Sequence, residues 1–390
     1  MNALSTLRDW ILDYVDQIAE EAIETSHFIH SHPENGGEEF ESSRRLIQNL
    51  KSHGFDVEYP VGDMETAFKA RIKGNAPGPR IAFLSEYDAL GTLGHACGHN
   101  FIGAASCFAG IALEHVMKDL PGEIMVIGTP AEENFGGKVK LLENGVFSDV
   151  DAAMMVHPSS ETRIAPRTLA SQAWKFTFRG KPAHAAAAPW KGVNALDALI
   201  QMFVSVNLLK KQLPPTARIP GIITCGGEKA NIVPELAVGE FSCRGADYEE
   251  AVDVINKVKK CADGAATATG TNVQYEPAAL LYKDLVTNHT MADIFRKNWE
   301  SIGGAIELNP KKGQGSLDIG NVSYEIPCIH PTIRIAPMDI ANHTQEFAEC
   351  ANSEKADEQM VKSIKTLALT ALDILSSPEI IREMKKELEK

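Results

Sequence analysis

Three short segments in the first half of the chain are mainly apolar, without the alternation of polar residues that marks a half-exposed strand. These segments are Arg80–Leu84, Glu123–Gly128 and Ala152–Val156. Between the first two, Phe101–Lys118 is apolar on nearly every side, which predicts a buried helix. Buried strands that alternate with helices predict an α/β domain built around a sheet.

The hydrophobic pattern changes near Leu169, where one-sided burial replaces continuous burial. Trp174–Arg179 alternates polar and apolar residues and predicts a half-exposed strand. Further alternating strands and two helices follow, which is typical of an α+β domain. From about Asp284 the pattern returns to helix, and Asp357–Leu375 predicts a long one. We therefore expect an inserted α+β domain at 169–283 and a discontinuous α/β domain at 1–168 and 284–390.

Polar side chains follow each of the three buried strands at the point where the strand ends. Asp88 comes after the first, Glu132 and Glu133 after the second, and His157 after the third. Ligands bind beyond the carboxyl ends of strands in open α/β sheets, so these side chains are expected to converge. The stretch Leu93–Asn100 supplies three more candidate groups at the same edge, namely His95, Cys97 and His99.

Thiolate, imidazole and carboxylate groups are the ligands that zinc and similar divalent metals prefer. The candidate ligands are Cys97, His99, Glu133, His157 and His343, the last in a polar loop before the final long helix. Five ligands suit two neighbouring metals better than one, because a tetrahedral catalytic ion needs only three protein ligands and a water. An incidental Gly-rich turn before a helix remains the simpler alternative for the Leu93–Asn100 stretch.

The pair Glu132-Glu133 offers two carboxylates that point in different directions after a strand. Glu133 is assigned as a metal ligand, and Glu132 as the general base that takes a proton from a water on the metal and passes it to the leaving group. Two solvated acids on a loop would be the ordinary reading of such a pair. The preceding apolar strand and Thr129-Pro130 argue against that reading.

The composition excludes several classes of partner. The chain carries 38 Lys and Arg against 52 Asp and Glu, a net charge of -14, which argues against nucleic acid and an anionic membrane surface. No apolar run is long enough to cross a bilayer, and the first residues, Met1 to Glu21, lack the pattern of a signal peptide. Seven scattered cysteines do not form a disulfide framework, so a reducing, cytoplasmic setting is expected.

Across nearly its whole length the chain resembles the amidohydrolase branch of the aminoacylase and carboxypeptidase-G type dinuclear metallopeptidases. The resemblance rests on several motifs that are specific only in combination. They are Tyr87-Asp-Ala-Leu90, His95-Ala-Cys-Gly-His99, Gly128-Thr-Pro-Ala-Glu-Glu133, His157-Pro158, Gly180-Lys-Pro-Ala-His-Ala185, Asn231-Ile-Val-Pro234, Gly315-Ser-Leu-Asp318 and Asn342-His-Thr344.

The resemblance implies an α/β catalytic domain with a mixed sheet and an inserted α+β lid and dimerisation domain. It implies two divalent metals per subunit, with zinc favoured and manganese or cobalt as alternatives, and a homodimer formed through the lid. Asp88 then supports a metal-binding loop, and His184 of one subunit stabilises the oxyanion in the site of the other. Asn231, Arg244 and Ser316 correspond to residues that bind the substrate, whose carboxylate an Arg fork suits.

Several features depart from much of this branch, among them Asn100 after the Cys-Gly-His and the sequence Asn-Phe-Gly-Gly after Glu133. They resemble the aminobenzoyl-glutamate hydrolase and β-alanyl-lysine dipeptidase subset. The expected activity is hydrolysis of an amide in an N-acyl amino acid, a dipeptide or an aminobenzoyl-glutamate-like compound. The alternatives are a non-catalytic metal- or ligand-binding protein and a thiol-redox role for Cys97, which lacks a second cysteine at redox spacing.

Overall fold

The computed structural model describes residues 3–307 and 315–389, and the chain forms two compact units. The first unit comprises the described residues of Met1–Pro166, Leu285–Gly313 and Asn321–Lys390, and the second those of Arg167–Asp284 and Gln314–Gly320. The loop that begins at Gly315 belongs to the second unit because the Leu169 N–H donates to the Gly315 carbonyl at 2.8 Å. The start of this Gly-rich loop, Gly313 and Gln314, lies outside the described residues.

The α-helices of the described residues, in chain order, are α1 Ala3–Ser31, α2 Phe40–Ser52, α3 His99–Ile111, α4 Glu132–Phe135, α5 Gly137–Glu143, α6 Ala195–Leu209, α7 Tyr248–Thr269, α8 His289–Ser301, α9 Ile319–Ser323, α10 Gln345–Cys350, α11 Glu354–Leu375 and α12 Pro378–Leu388. The strands are β1 Asp56–Glu58, β2 Phe68–Lys73, β3 Ala76–Ser85, β4 Pro121–Gly128, β5 Ala152–Met154, β6 His157–Ser159, β7 Ala170–Arg179, β8 Gly221–Cys225, β9 Leu236–Gly245, β10 Asn272–Pro277, β11 Cys328–Ile329 and β12 Thr332–Arg334.

The first unit is built around a mixed sheet with the strand order β1-β2-β4-β3-β5-β11. Strands β4, β3, β5 and β11 run parallel, whereas β2 pairs antiparallel with β4 and β1 pairs antiparallel with β2 at one side. Every residue of β4 after Pro121 is buried, as is β5, because helices cover the sheet. The predicted α/β class with a mixed sheet is therefore confirmed, and β3, β4 and β5 end at one common edge.

Helix α3 is buried at every position from His99 to Ile111, and it packs against α1 and α11. The sequence predicts this helix as far as Lys118, but it ends at Ile111 and turns follow. Leu113 stays buried in these turns, while the Glu114 carboxylate reaches His53 Nδ1 at 2.9 Å. The apolar pattern beyond Ile111 therefore reports burial of the segment rather than continuation of the helix.

The second unit is an antiparallel sheet with the order β10-β7-β9-β8, against which α6 and α7 pack. Strand β9 alternates buried and partly exposed residues along its whole length, as one-sided burial requires. Its core contains Phe176, Phe178 and Phe241. The Asn194 side chain accepts hydrogen bonds from the Leu196 and Asp197 N–H groups and so begins α6.

Within the described ranges, none of the helices combines the length and the apolar character needed to cross a bilayer.

Candidate metal centre

The turn before α3 brings Cys97 and His99 to the sheet edge. Gly98 adopts a left-handed conformation with φ 78° and precedes the helix, so Cys97 and His99 flank a sharp bend. A Cβ atom at Gly98 would lie 2.5 Å from Pro158 Cγ. This close approach of the turn to strand β6 leaves Cys97 Sγ 3.4 Å from His157 Nε2.

Two groups of potential ligands share Cys97. One contains Cys97, His99 and His157, the other Cys97, Glu133 and His343, and the ligand atoms of each group lie within 4.8 Å of one another. His343 Nε2 is 3.2 Å from Glu133 Oε1. Two ligands of a tetrahedral zinc ion, at bond lengths of about 2.0–2.3 Å, are roughly 3.3–3.6 Å apart. The spacing of these side chains therefore fits a pair of metals that share one thiolate.

Asp88 connects both halves of this cluster. Its Oδ1 lies 3.0 Å from His99 Nδ1, and its Oδ2 accepts the Glu133 N–H at 3.0 Å. A carboxylate on Nδ1 leaves the other ring nitrogen, Nε2, to face the cluster. Among the described residues, His99 Nε2 is buried without a hydrogen bond, and Glu133 Oε1 is buried with only His343 Nε2 beside it at 3.2 Å. Buried groups left in this way are expected where a ligand or ion completes the site.

The charges in the cluster stabilise one another. Burial alone would raise the pKa of the Cys97 thiol, but the imidazoles of His157 and His99 lower it to about 6. Hydrogen bonds to Cys97 and Glu133 raise the pKa of His343 to about 10. Without metal, the site is thus a set of thiolate, carboxylate and imidazolium groups. Because a metal takes the place of these imidazole protons, metal binding releases protons.

The opposing effects of burial and charge recur at His99 and its neighbours. Burial opposes ionisation of His99, yet the Asp88 carboxylate and Cys97 raise its pKa well above the usual range. Burial would raise the pKa of Asp88, but the charge and hydrogen bond of His99 lower it. Glu133 behaves similarly, since the hydrogen bond from His343 overcomes its burial and lowers its pKa. These shifts indicate a strongly polarised, water-poor site.

Helix α4 carries both adjacent glutamates and begins directly after β4. Glu132 is buried and Glu133 is partly buried. Glu132 also forms a potential ligand group with His99 and Glu133, so either glutamate has an oxygen close to the cluster. The residue before them, Ala131, has a left-handed backbone with φ 62°. A sharp backbone turn at Ala131 therefore connects the edge of the sheet to the two glutamates.

The site contains charged groups that the sequence did not single out. Glu86 Oε2 lies 3.5 Å from His99 Nε2, and Glu86 Oε1 is paired with Lys138 Nζ. Glu86 follows the end of β3, so the same edge argument that selected Asp88 could have identified it. His95, in contrast, is absent from every potential ligand group of the described chain. Burial, with smaller contributions from His99 and His30, lowers its pKa to about 3.

Four further predicted site residues lie in the second unit. His184 and Asn231 are neighbours there, because His184 bridges Ile232 and the Ala185 N–H donates to the Asn231 carbonyl at 3.0 Å. Arg244 lies on β9, and its guanidinium makes neither a hydrogen bond nor an ion pair with any described residue. Ser316 Oγ is buried and likewise has no hydrogen-bond partner among the described residues.

Residues 170–269 match a known sequence family, the peptidase dimerisation domain M20_dimer. Two characterised relatives align with most of the chain. The Xaa-Arg dipeptidase of Mus musculus is 36% identical over 402 residues, which cover 98% of this chain and 92% of the relative. One of the two p-aminobenzoyl-glutamate hydrolase subunits of Escherichia coli (strain K12) is 28% identical over 441 residues, with coverage of 92% and 90%.

Solved structures share the fold at low sequence identity. A putative aminohydrolase from methicillin-resistant Staphylococcus aureus superposes with a TM-score of 0.82 and 20% identity, covering 94% of this chain and 100% of that one. A Bacillus subtilis protein described as a dinuclear metal-binding peptidase of the M20 family gives a TM-score of 0.72 and 19% identity, with coverage of 93% and 99%. The two relatives named above are enzymes, so they give no support to a non-catalytic role.

Proposed function

The chain belongs to the M20 family of metal-dependent amide hydrolases, and we propose that its substrates within that family's chemistry are dipeptides with arginine or lysine at the carboxyl end. The observation that carries the proposal is the cluster of five potential metal ligands beside Glu132. The preference for a basic residue rests on the mouse and human Xaa-Arg dipeptidases, which are 36% and 33% identical to this chain over nearly its whole length.

Two divalent metals are proposed to share the Cys97 thiolate, one with His99 and His157 and the other with Glu133 and His343. Zinc is the proposed metal because a thiolate and several imidazoles favour it, and manganese or cobalt are the alternatives. When bound, such metals polarise the substrate carbonyl and lower the pKa of a water to about 7. The buried Asp88 holds His99 and Glu133 in the orientation that ligation requires.

Glu132 is proposed to take the proton from the attacking water and to deliver it to the nitrogen of the leaving amino acid. Its position supports this role, since one of its oxygens lies within 4.8 Å of the ligand atoms of His99 and Glu133. Its neighbour Glu133 is held by the Asp88 hydrogen bond to its backbone N–H. Glu133 can thus bind a metal while the adjacent Glu132 transfers the proton.

His184 is proposed to stabilise the oxyanion in the site of a partner subunit. Its Nδ1 accepts the N–H groups of Ala186 and Ala187, both at 3.2 Å. This arrangement places the ring proton on Nε2 of an exposed side chain, which is the form that can donate to an oxyanion. Arg244, whose guanidinium lacks a protein partner among the described residues, is proposed to bind the substrate carboxylate together with Asn231 and Ser316.

A homodimer formed through the second unit is supported by two exposed apolar features. Strand β8 is an edge strand, and its Ile222 and Ile223 are 62% and 45% exposed. Helix α6 presents Ile200, Val204 and Leu208 at intervals of four residues, all between 47% and 55% exposed. An open strand edge and an exposed apolar helical stripe are surfaces that a second copy of the chain can cover.

The seven cysteines, all within the described residues, are unpaired. Free thiols support a reducing setting, and the cytoplasm is the proposed location.

The substrate proposal is tested with a panel assay of the metal-loaded protein. The panel contains Ala-Arg, β-alanyl-lysine, aminobenzoyl-glutamate and N-acetylcysteine, with Ala-citrulline as a neutral match for Ala-Arg. We expect the highest kcat/KM for the basic dipeptides, loss of turnover with a chelator, and loss in Glu132→Gln with metal retained. Equal rates for Ala-Arg and Ala-citrulline would refute the charge preference, and undiminished turnover by Glu132→Gln would refute the assigned base.

The subunit arrangement is tested by mixing two inactive variants. A Glu132→Gln subunit still offers His184, and a His184→Ala subunit still offers Glu132. If His184 acts across the dimer, subunit exchange regenerates one intact site and activity returns. If His184 serves its own subunit, no mixture regains activity. A Val204→Glu variant, measured by light scattering, is expected to be monomeric because it buries a charge in the proposed interface.

A further inference from the structure

The backbone turn that precedes the two glutamates is conformationally unusual. Ala131 is one of three non-glycine residues in the described chain with a positive φ, here 62°. A left-handed conformation is unfavourable for alanine and persists only where the surroundings impose it. Because Ala131 immediately precedes Glu132, its φ and ψ angles determine where helix α4 starts and where the Glu132 side chain points.

A buried carboxylate from another part of the chain holds this turn. Glu39 is fully buried, and its Oε1 accepts the Ala131 N–H at 2.8 Å. Its Oε2 accepts the Thr66 hydroxyl at 2.7 Å. The Thr66 carbonyl in turn accepts the hydroxyl of Tyr87, which immediately precedes Asp88. Glu39 is therefore fixed by its own hydrogen bonds and acts on Ala131 from a rigid position.

The segment around Glu39 also fits closely against the turn. A Cβ atom at Gly36 would lie 2.8 Å from Ala131 Cα, and the Asn134 side chain donates to the Gly36 carbonyl at 3.2 Å. Asp88 holds the Glu133 N–H, so two buried carboxylates hold alternate N–H groups of one short turn. Asp88 thus holds the backbone of Glu133, the glutamate assigned as a ligand. Glu39 holds the backbone of Ala131, the residue that precedes Glu132.

We propose that Glu39 is a positioning residue for the general base, because it holds Ala131 in the left-handed conformation that directs the Glu132 carboxylate. This inference rests on the proposed assignment of Glu132 as the base. The proposal predicts different effects for the loss of the two supporting carboxylates, Asp88 and Glu39. Loss of Asp88 disturbs metal ligation, whereas loss of Glu39 lowers the rate of proton transfer and leaves the metals bound.

Glutamine is a close replacement for Glu39 in this environment. Burial raises the pKa of Glu39 to about 7, although the Thr66 hydrogen bond opposes the shift, so the neutral form is well populated near neutral pH. A glutamine keeps an oxygen that can accept the Ala131 N–H. Methionine has a similar length and no such acceptor. The pair Glu39→Gln and Glu39→Met therefore isolates the hydrogen bond from the volume of the side chain.

The experiment measures kcat, KM, bound metal and the absorption spectrum of the cobalt-substituted protein for these variants. We expect Glu39→Met to lower kcat about 10²-fold, the order of loss that a misplaced catalytic group produces. KM, two metals per subunit and the cobalt spectrum should be unchanged, and Glu39→Gln should stay within about 3-fold of the parent. Should Glu39→Met fail to fold, Glu39→Asp carries the same comparison, because its shorter carboxylate cannot reach Ala131.

Two controls separate positioning from a general loss of structure. Thr66→Val removes the hydrogen bond to the other oxygen of Glu39 but keeps the acceptor for the Ala131 N–H, so it should lower kcat far less than Glu39→Met, even if unfolding becomes easier. In a Glu132→Asp background, which keeps a displaced carboxylate, Glu39→Met should add little further loss, since both changes act on one group. Multiplicative losses in the double variant, an unchanged kcat in Glu39→Met, or a loss that follows bound metal would each overturn the inference. Full activity in Glu132→Gln would instead overturn the proposed function itself.

Discussion

Replacing Lys138 by methionine provides a strong test of the electrostatics beneath the metal centre. Lys138 is fully buried, and its ammonium group is paired with the Glu86 carboxylate, which is 2% exposed. Glu86 Oε2 also lies 3.5 Å from His99 Nε2. Methionine is close to lysine in length but carries no charge, so Lys138→Met removes the ammonium partner of Glu86 and leaves its buried carboxylate with only the longer contact to His99.

Removal of one member of a buried ion pair typically destabilises a protein by about 3–5 kcal/mol, because an uncompensated charge remains. This corresponds to roughly a 10²- to 10⁴-fold shift in the unfolding equilibrium, at about 1.4 kcal/mol for each factor of ten. Replacing both charges, in Lys138→Met with Glu86→Gln, removes the unpaired carboxylate. We expect the double variant to recover at least half of the lost stability, since the cost lies in the isolated charge rather than in the missing attraction.

The measurement is urea unfolding of the metal-free protein, followed by fluorescence and far-UV circular dichroism, so that bound metal does not add to native-state stability. Glu86→Gln alone serves as the second arm of the cycle. A destabilisation below about 1 kcal/mol in Lys138→Met would refute the reasoning. So would a double variant that is as unstable as the sum of the two single variants.

Two further predictions concern the metal centre, and a third concerns an ion-pair cluster elsewhere in the first unit. Gly98→Ala should abolish metal binding and activity, measured by metal analysis and turnover, because it introduces a Cβ 2.5 Å from Pro158 Cγ at a left-handed position; normal metal content would contradict this. Cys97, whose pKa falls to about 6, should react rapidly with iodoacetamide in metal-free protein and slowly after metal loading, as followed by mass spectrometry; equal rates would argue against ligation. Burial raises the pKa of Asp149, but Lys69 and Arg71 lower it overall, so its ionised form stabilises the fold. The unfolding free-energy difference between parent and Asp149→Asn should be full at neutral pH and shrink as pH falls below about 4; a pH-independent difference would exclude the ion pairs as its source.

The main elements of both units could be predicted from the hydrophobic pattern. The predicted strand Trp174–Arg179 lies within β7, Ala170–Arg179, and ends at the predicted residue, where Gly180 follows. The potential ligands also followed from local signals, since polar residues after buried strands meet at one edge. The predicted end of α3 at Lys118 was wrong because the chain stays buried, as at Leu113, after the helix ends at Ile111.

The supports of the site were beyond the reach of sequence patterns. Glu39 stands in a polar run with Glu38, and nothing local distinguishes the exposed glutamate from the buried one. Lys138 follows two glycines and looks like an ordinary surface lysine, yet it is fully buried. Such positions are decided by residues distant in the chain, namely Ala131 for Glu39 and Glu86 for Lys138. Periodicity reports the average environment of a segment and carries no information about such individual partners.

The tie between the first and last contributors to the metal cluster has a consequence for synthesis of the protein. The Asn342 side chain reaches Cys97 Sγ at 3.9 Å across 245 positions of sequence, and the His343 N–H donates to the Ala96 carbonyl at 2.9 Å. A ribosome-bound chain that has emerged only as far as the second unit lacks His343. The full set of five potential ligands therefore exists only once His343 has been synthesised, so a shorter nascent chain cannot assemble it.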